Sequence, residues 1–413
     1  MSKCRFCNTK LRHTFSDLGF SPPSNSFLNK VDLLSPEKYY PLKVQVCENC
    51  YLVQINEFAK HNEIFNDNYA YFSSFSSSWL KHAKDYTEMM TKKLGLNSSS
   101  LVIEIASNDG YLLQYFNNNN IPVLGIEPTA NTAQVAIKKG INTKIDFFGK
   151  KLAKEIANDY NADLILGNNV LAHVPDINDF VSGLQYVLKP DGIITFEFPH
   201  LLELIKFTQF DTIYHEHYSY LSLLFINKLF EKHNLKVFDV EQLKTHGGSL
   251  RIYAKHNDCE LYPQTERSLQ ILDLELEYGL DQMETYEKFQ VLSESLKDNF
   301  IEFLIDAKKN NKKVVGYGAA AKGNTFINFS GIKKDLISYV VDKSDFKQID
   351  LIVLSKADVY FDEEMLELKT DKVKYRKSQE LIMNFNNGGD LGYEKFSENK
   401  YFYIWKLYEN FSE

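Results

Sequence analysis

Four of the five cysteines occur in two closely spaced pairs, a pattern typical of a metal site. The pairs are Cys4 with Cys7 and Cys47 with Cys50, whereas Cys259 is isolated. Two C-x-x-C turns can place four thiolates in a tetrahedron around one ion, and in a reducing compartment such pairs are metal ligands more often than disulfides. Because four thiolates leave no open coordination position, we predict a structural zinc site, with a redox pair as the alternative interpretation.

A second group of reactive side chains is concentrated in the short segment Tyr214–Tyr218, which reads YHEHY. Its histidines and its carboxylate have the chemistry for proton transfer. The segment comes after the fifth predicted strand and its helix, and loops at that edge of a parallel sheet are where ligands bind. The i, i+2 spacing of the histidines does not match the i, i+4 spacing of zinc ligands on a helix. A purely structural polar loop is the alternative interpretation.

The segment Glu104–Gly110, with the sequence EIASNDG, directly follows an apolar strand and opens a helix. Small residues there let the backbone approach a ligand closely, and the carboxylate that ends the next strand suits ribose hydroxyls. A nicotinamide cofactor would use the same acid. The segment is not G-x-G-x-x-G, so we favour S-adenosylmethionine, which has no phosphates to cradle. The predicted cofactor contacts are Glu104, Ala106, Asn108, Gly110, Glu127, Pro128, Asp146 and Asn168.

Two further features suit a phosphorylated ligand. Arg251 follows a Gly-Gly pair in a chain with only five arginines, and its planar fork suits a diphosphate, although a surface cation is the alternative. The segment GYGAAAKGNT (316–325) places glycines, Lys322 and Asn324 at the start of a helix, where phosphates bind. A dinucleotide site is the alternative there, and we expect sugar-nucleotide contacts. The predicted substrate contacts are Arg251, Gly316, Gly318, Lys322, Asn324 and Lys347.

The composition excludes some partners. The chain has 413 residues and a formal net charge of −8, from 47 Lys and Arg against 55 Asp and Glu. A nucleic-acid-binding protein would normally show a basic stripe, so we expect no nucleic-acid partner. No apolar run approaches the length that a membrane span requires, and the first residues lack the apolar core of a secretory signal. We therefore expect a cytoplasmic protein without a membrane partner.

Alternating strand and helix patterns must position these side chains. Five strands are predicted at 101–106, 121–128, 141–148, 162–169 and 191–199, with helices between them and before the first, at 76–94. Such repeated βαβ units predict a parallel sheet. The stretches 235–243 and 248–256 resemble an antiparallel closing pair. One or two long helices are expected at 264–311, followed by strand, turn and helix at 312–325 and a strand at 336–344.

The predicted fold class is α/β, with three parts. A small zinc-binding domain (1–75) precedes a Rossmann-like α/β domain (76–260). A helical linker and a C-terminal Rossmann-like α/β domain (261–413) complete the chain, and its tail beyond Lys347 shows no assignable pattern.

The chain resembles the sugar C-3 methyltransferases. Eight motifs over about residues 1–348 carry the resemblance: the paired CxxC region, EIASNDG, IEPT, NNVLAHVPD, FEFP, IYHEHYSYLS, HGGSLRIY and GYGAAAKGNT. Members of this family use S-adenosylmethionine to methylate nucleotide-linked 4-keto-6-deoxysugars. The resemblance implies that the middle domain (76–260) is a class I, Rossmann-like methyltransferase domain that holds the methyl donor. It also implies that the C-terminal domain helps to anchor the nucleotide sugar. The residues after Lys347 and Gln348 do not match the family's pattern.

The resemblance also assigns roles to individual residues. His217 matches the family's base, Tyr214 the phenol that steers an enolate, and Glu216 an acidic partner. His173 and Tyr71 match a further active-site histidine and tyrosine. The expected reaction is methyl transfer to C-3 of a nucleotide-linked 4-keto-6-deoxysugar. An O- or N-methyltransferase acting on another nucleotide sugar, or an inactive homologue that binds S-adenosylmethionine, are the alternatives, and the chain is expected to be a monomer or a homodimer.

Overall fold

Three sheets organise the chain. The computed structural model describes residues 2–24, 28, 31–58, 72–317, 321–341, 358–359 and 401–404. Within these residues, strands β1 to β15 are His13–Ser21, Tyr40–Val46, Val53–Ile55, Val102–Ile105, Val123–Ile126, Thr143–Lys144, Ala162–Asn168, Leu188–Pro199, Ser219–Tyr220, Leu235–Leu243, Ser249–His256, Lys313–Tyr317, Ile337–Val341, Asp358–Val359 and Tyr401–Ile404.

The helices alternate with the strands in the middle of the chain and cluster after it. In chain order, the α-helices α1 to α11 of the described residues are Ser77–Leu94, Leu113–Asn118, Ala130–Lys138, Lys150–Ala157, Ile177–Val187, Leu201–Lys206, Leu223–Lys232, Glu266–Tyr278, Met283–Glu287, Phe289–Lys309 and Ala321–Ser330. None of these helices is both long enough and apolar enough to cross a membrane.

The central sheet has seven strands in the order β10-β11-β8-β7-β4-β5-β6. Strands β4 to β8 run parallel, and β11 pairs antiparallel with both β8 and β10. The predicted parallel sheet with an antiparallel closing pair is therefore confirmed. The strand order reverses between β4 and β7, so the carboxyl ends of these strands open the crevice where α/β sheets bind ligands.

The strand predicted at 141–148 is shorter than expected, because β6 contains only Thr143 and Lys144. This strand lies at the edge of the central sheet and pairs only with β5. Beyond it the chain turns outward, with Ile145 and Phe147 about two-fifths exposed. An apolar run at a sheet edge gains little burial by continuing as a strand. The hydrophobic pattern therefore predicted a longer strand than the structure contains.

Helix α1 agrees closely with its predicted range. The side chain of Ser76 accepts a hydrogen bond from the backbone N–H of Trp79, and the helix ends at Gly95 in the left-handed region, with φ 62°. Ala83, Tyr86 and Met90 recur on one side and are buried. The helix therefore packs its apolar face while its first turn points towards the carboxyl edge of the central sheet.

The N-terminal sheet has the order β1-β2-β3-β9. Its first three strands come from residues before 56, but β9 belongs to the segment that directly follows YHEHY. The pairing is antiparallel, with Val53 opposite Tyr220 and Gln54 opposite Ser219. The candidate catalytic segment thus runs directly into the sheet of the N-terminal unit.

The C-terminal unit begins with three helices where one or two were expected. Gly279, with φ 89°, ends α8 in the left-handed region, and the short α9 follows before the long α10. A fully buried carboxylate fixes α8. Glu275 accepts hydrogen bonds from the backbone N–H groups of Leu223 and Leu224 and lies 2.7 Å from His200 Nε2. It therefore caps α7 as well, where a negative charge is favourable.

The C-terminal sheet has the order β14-β13-β12-β15 and is parallel in all three described pairings. The predicted strand, turn and helix correspond to β12 and α11, and the next predicted strand to β13. Helix α11 docks on the segment before YHEHY: Thr325 donates a 2.9 Å hydrogen bond to the Ile213 carbonyl, and Phe326 stacks on Phe210. This unit therefore reaches the same segment as the N-terminal sheet.

Candidate active site

The four predicted metal ligands converge. Their Sγ atoms all lie within 4.8 Å of one another, with separations of 3.6 Å for Cys4 and Cys50 and 3.5 Å for Cys7 and Cys47. Tetrahedral coordination at a Zn–S distance of about 2.3 Å requires S–S separations of about 3.8 Å. The donor set and its spacing fit zinc with no open position, so the site is structural.

Both C-x-x-C turns have the same backbone design. The residue after each pair, Asn8 or Tyr51, has φ 63°, and its backbone N–H bonds back to the carbonyl of the first cysteine, Cys4 or Cys47. The left-handed residue reverses the chain so that both thiolates face one point. Gln54 of β3 adds a 3.2 Å hydrogen bond from Nε2 to Cys4 Sγ. This bond ties the metal site to the N-terminal sheet.

The predicted cofactor segment forms a tight turn at the carboxyl end of β4. Ala106, Asn108 and Gly110 all have positive φ, at 57°, 49° and 75°. A side chain at Gly110 would also lie 3.1–3.2 Å from Ile141 and Ala136, so glycine is needed for both conformation and space. The turn therefore lies at the carboxyl edge of the sheet, where α/β proteins bind ligands.

Glu127 lies at the carboxyl end of β5 and faces this turn. Its Oε2 accepts from the Asn108 backbone N–H at 2.8 Å, and its Oε1 accepts from the backbone and hydroxyl of Thr129. A carboxylate has about four acceptor positions, so Oε2 retains one for a ribose hydroxyl. Burial raises the pKa of Glu127, and the hydrogen bonds from Thr129 and Asn108 oppose this effect.

Glu104 is fully buried inside the crevice wall. Burial raises its pKa well above 4.5, hydrogen bonding with Tyr111 opposes the rise, and the neighbouring acids Asp109 and Glu127 add to it. Burial of this carboxyl group therefore favours its protonated form.

The other predicted cofactor contacts lie around the same edge. Asn168 ends β7 and donates from Nδ2 to the Tyr111 hydroxyl at 3.3 Å. Pro128 is half-buried beside Glu127. Asp146, beyond β6, is exposed, and its Oδ1 accepts from the next backbone N–H, that of Phe147. Asp146 thus lies furthest towards solvent.

The predicted catalytic histidines are neighbours in space. The ring centroids of His173 and His217 are 4.7 Å apart, and the ring of Tyr214 lies 4.0 Å from that of His217. His173 comes from the loop after β7, whereas the other two belong to the YHEHY segment. The fold therefore brings His173 beside two predicted catalytic residues from a segment that is distant in sequence.

The tautomer of His217 is set by one hydrogen bond. Its Nδ1 lies 2.8 Å from the carbonyl oxygen of Thr212, which can only accept, so Nδ1 carries the hydrogen. Burial lowers the pKa of His217 well below 6.5, and the charges of His173 and Lys322 lower it further. The ring is therefore neutral near pH 7 and Nε2 holds the lone pair, the state that a general base requires.

His173 and Glu216 are linked through the backbone. Burial lowers the pKa of His173 to about 4, and a hydrogen bond to the backbone of Glu216 partly opposes this effect. Glu216 itself is buried. His215, two residues before His217, points away from the other histidines and packs edge-on against Tyr40 of β2. The two histidines of HEH therefore serve different parts of the molecule, because the chain turns at His215 and Glu216. In an extended strand, by contrast, i and i+2 side chains would share one face.

Helix α11 brings a cation to the histidines. The ammonium of Lys322 is buried, and its charge lowers the pKa values of His217 and His246. Burial raises the pKa of Asp211, and the Lys322 charge opposes this rise. Asn324 is buried and bonds to the Ser24 carbonyl at 3.5 Å. Among the predicted substrate contacts that the structure describes, Lys322 is the residue whose charge acts on His217.

Gly316 is not at the turn where a phosphate cradle was predicted. It lies within β12, opposite Val340 of β13 and Ile404 of β15. A residue in the middle of a three-stranded ladder has its backbone groups engaged by neighbouring strands. The predictions for Tyr71, Gly318 and Lys347 fall outside the described residues.

Arg251 is placed differently from the prediction of a diphosphate contact. It lies in β11 directly opposite Glu197, and its guanidinium pairs with Glu197 at 3.0 Å and with Glu241 at 3.2 Å. The group is buried and lies over the ring of Tyr86. Since two carboxylates and an aromatic face already engage the fork, the structure favours an internal role.

Solved methyltransferase structures resemble parts of the chain. Magnesium protoporphyrin IX methyltransferase from Synechocystis PCC 6803, with bound SAH, is 14% identical over 42% of this chain and 82% of its own, with a TM-score of 0.34. A SAM-dependent methyltransferase from Anabaena variabilis is 13% identical over 46% of this chain and 89% of its own, with a TM-score of 0.36.

Family models match most of the chain. A putative zinc binding domain matches residues 4–65, a methyltransferase domain 79–240, and a C-methyltransferase C-terminal domain 244–374. C-methyltransferase NovU from Streptomyces niveus is 31% identical over 367 residues, which are 88% of this chain and 86% of that protein. The chain belongs to the C-methyltransferase family. It is a SAM-dependent methyltransferase of class I fold with a structural zinc ion, as the sequence predicted.

Several residues at the site of this C-methyltransferase were not singled out from the sequence. Glu197 is fully buried at the end of β8, where His82, Arg251 and Thr245 surround its carboxylate. Burial alone would raise its pKa, but the His82 hydrogen bond and the Arg251 charge lower it to about 2. The FEFP motif carried this residue, yet nothing in the sequence indicated its partners.

His246 was also missed. It has φ 53°, lies edge-on to Trp79, and its Nε2 is 3.0 Å from Asn169 Nδ2. Burial and then the Lys322 charge lower its pKa to about 4. The HGG sequence was a usable signal, since a histidine before two glycines marks a sharply turned loop.

Replacing Cys47 with serine should remove the zinc and loosen the N-terminal unit, because a four-thiolate site contributes folding free energy. We expect less than one zinc per chain by elemental analysis and a lower melting temperature by calorimetry. Cys259→Ser is the matched control and should keep both values. A zinc-free C47S protein with unchanged melting would contradict the structural role.

Arg251→Met should destabilise the protein by about 3–5 kcal/mol, because it leaves the carboxylate of Glu197 buried without its cation. Arg12→Met is the matched control: its side chain and that of its partner Glu48 are both exposed, which predicts a loss of about 0–1 kcal/mol. Urea unfolding measures both. Unchanged stability with a raised KM for a nucleotide sugar would instead support the diphosphate contact predicted from the sequence.

Proposed function

We propose that this C-methyltransferase transfers a methyl group to C-3 of a nucleotide-linked 4-keto-6-deoxysugar by way of an enolate. The observation that carries the proposal is the hydrogen bond from His217 Nδ1 to the Thr212 carbonyl, which leaves Nε2 as a buried, unprotonated base. Carbon methylation requires such a base, because a C–H bond must be broken before the carbon can act as a nucleophile.

A 4-keto group makes the C-3 hydrogen acidic enough for this base. His217 Nε2 accepts the proton, and the electron pair of the broken C–H bond forms the enolate, with negative charge on the oxygen at C-4. S-adenosylmethionine, when bound, supplies an electrophilic methyl group on its sulfonium. The residues around the turn Glu104–Gly110 and Glu127 hold this cofactor at the carboxyl edge of the sheet, next to the histidines.

The surroundings of His217 suit the charge that develops. Tyr214, whose ring is 4.0 Å from that of His217, has a phenol that can donate to the enolate oxygen. The buried ammonium of Lys322 adds positive potential, which favours an oxyanion over a neutral ketone. Burial lowers the pKa values of His173 and His246 to about 4, so both rings are neutral and Lys322 supplies the positive charge near that oxygen.

The same geometry gives little support to the heteroatom alternative. A hydroxyl or amine already carries a lone pair and needs only weak general-base assistance. A buried neutral imidazole beside a phenol and an ammonium is better matched to forming a carbanion equivalent. We therefore keep carbon methylation as the proposed reaction, with a nucleotide sugar as the small-molecule substrate.

Mass spectrometry of the protein with S-adenosylmethionine and a panel of dTDP-, GDP-, CDP- and UDP-linked 4-keto-6-deoxysugars tests the proposal. We expect a gain of one methylene on one sugar, with NMR placing the methyl on C-3. His217→Asn should lower kcat by about 10²–10⁴-fold, because it removes the base. It should leave the affinity for S-adenosylhomocysteine unchanged.

His13→Asn is the matched control, since His13 lies at the surface beside Glu48, and it should keep full activity. Methyl transfer to oxygen or nitrogen would contradict the proposal in favour of the heteroatom alternative. Tight cofactor binding without turnover of any sugar in the panel would favour the inactive homologue. Full activity of H217N would remove His217 from the role of base.

The pH dependence of kcat/KM should place the acid limb below pH 6.5. His217 must be neutral to accept a proton, and burial holds its pKa well below that value, so activity is retained near neutrality and lost only as the pH falls through the lowered pKa. Steady-state rates between pH 4.5 and 8 measure this limb. A midpoint at or above 6.5 would show that an ordinary, solvent-exposed histidine controls the rate.

A further inference from the structure

Arg5 lies between the first two zinc ligands, yet its side chain leaves the metal site. Its Nη1 donates a 2.8 Å hydrogen bond to the carbonyl of Pro175, and its Nη2 donates to the carbonyl of Ile55. The guanidinium carbon also lies 5.4 Å from the centre of the Tyr218 ring. One planar cation therefore contacts three separate stretches of chain.

Two of these contacts lead directly to the catalytic histidines. Pro175 is two residues after His173, in the loop that follows β7. Tyr218 directly follows His217, and its carbonyl accepts a 3.1 Å hydrogen bond from the Ile55 N–H. The two arms of the guanidinium thus end on the backbone of the His173 loop and on the strand that pairs with the His217 segment.

The backbone of Arg5 is itself held from both sides. Its N–H donates to Gln54 Oε1 at 3.0 Å, and its carbonyl accepts from Asn178 Nδ2 at 2.9 Å. Gln54 also donates to Cys4 Sγ. The position of the Arg5 side chain is therefore set by the cysteine turn and by helix α5, and not by a flexible surface loop.

We propose that Arg5 is a positioning residue that holds the loops of His173 and His217 at their working separation, so that the zinc site supports catalysis as well as folding. Only a planar fork fits: its separate N–H groups reach two carbonyls while its face covers an aromatic ring, whereas a lysine ammonium is a single point charge. This inference rests on the proposed role of His217 as the base.

The physical reason is that catalysis tolerates only small displacements between reacting groups. The rings of His173 and His217 are 4.7 Å apart and come from segments that are far apart in sequence. A displacement of about 1 Å between reacting groups can cost about 100-fold in rate. A partly buried cation that bonds to the His173 loop and to the strand paired with the His217 segment restrains this displacement without entering the site.

The test compares full-length Arg5→Met and Arg5→Lys with wild type. Arg12→Met is the matched control, since Arg12 is an exposed arginine of the same domain, paired with Glu48 at 3.8 Å. We expect kcat to fall about 10- to 100-fold in R5M and less in R5K, with KM and the affinity for S-adenosylhomocysteine changed by less than about twofold. R12M should match wild type.

Hydrogen–deuterium exchange supplies a readout that needs no substrate. In R5M and R5K, peptides covering residues 171–178 and 212–221 should exchange faster, while those covering 102–127 and the zinc content should not change. Unchanged exchange in the two histidine loops would overturn the proposal, as would loss of zinc from R5K or an equal rise in KM and fall in kcat. If wild type converts no sugar, the proposed function fails, but the exchange data still decide the role of Arg5.

Discussion

A histidine buried in this protein can act as a base only if it is neutral and if the correct nitrogen carries the lone pair. The hydrogen bond from His217 Nδ1 to the Thr212 carbonyl fixes the second condition, and burial fixes the first. Both conditions require Thr212 and His217 to keep their positions relative to each other in space. Elements from all parts of the chain contact this short segment or its neighbouring loop.

All three units of the chain contribute contacts to this segment or to the loop beside it. The N-terminal sheet pairs β3 with β9 just after it, and helix α11 bonds to the Ile213 carbonyl and stacks Phe326 on Phe210 just before it. The central sheet supplies the neighbouring loop with His173. Because each unit contributes a different contact, all three restrain the position of this segment.

The sequence predicted most of this framework, and its failures have physical causes. Helix α1, the parallel strands and the closing hairpin formed by β10 and β11 were found because hydrophobic periodicity and turn residues are local signals. Strand β9 was not, since two residues gain their structure only from a partner far away in sequence. The same limit applies to Arg251: its type indicated an anion, and the anion is Glu197, 54 residues earlier in the chain.

The neutral histidines also constrain where charge can lie. His173, His217 and His246 all have lowered pKa values, and the buried ammonium of Lys322 contributes to this at two of them. A carboxylate at the place of this ammonium would raise the pKa values of the rings and favour their protonated forms. The buried carboxylate of Glu197 is instead paired with Arg251 and His82, and it accepts a hydrogen bond from Thr245. Because these cations pair the acid, its effect on His246 does not outweigh burial, and one crevice contains both a buried anion and neutral histidines.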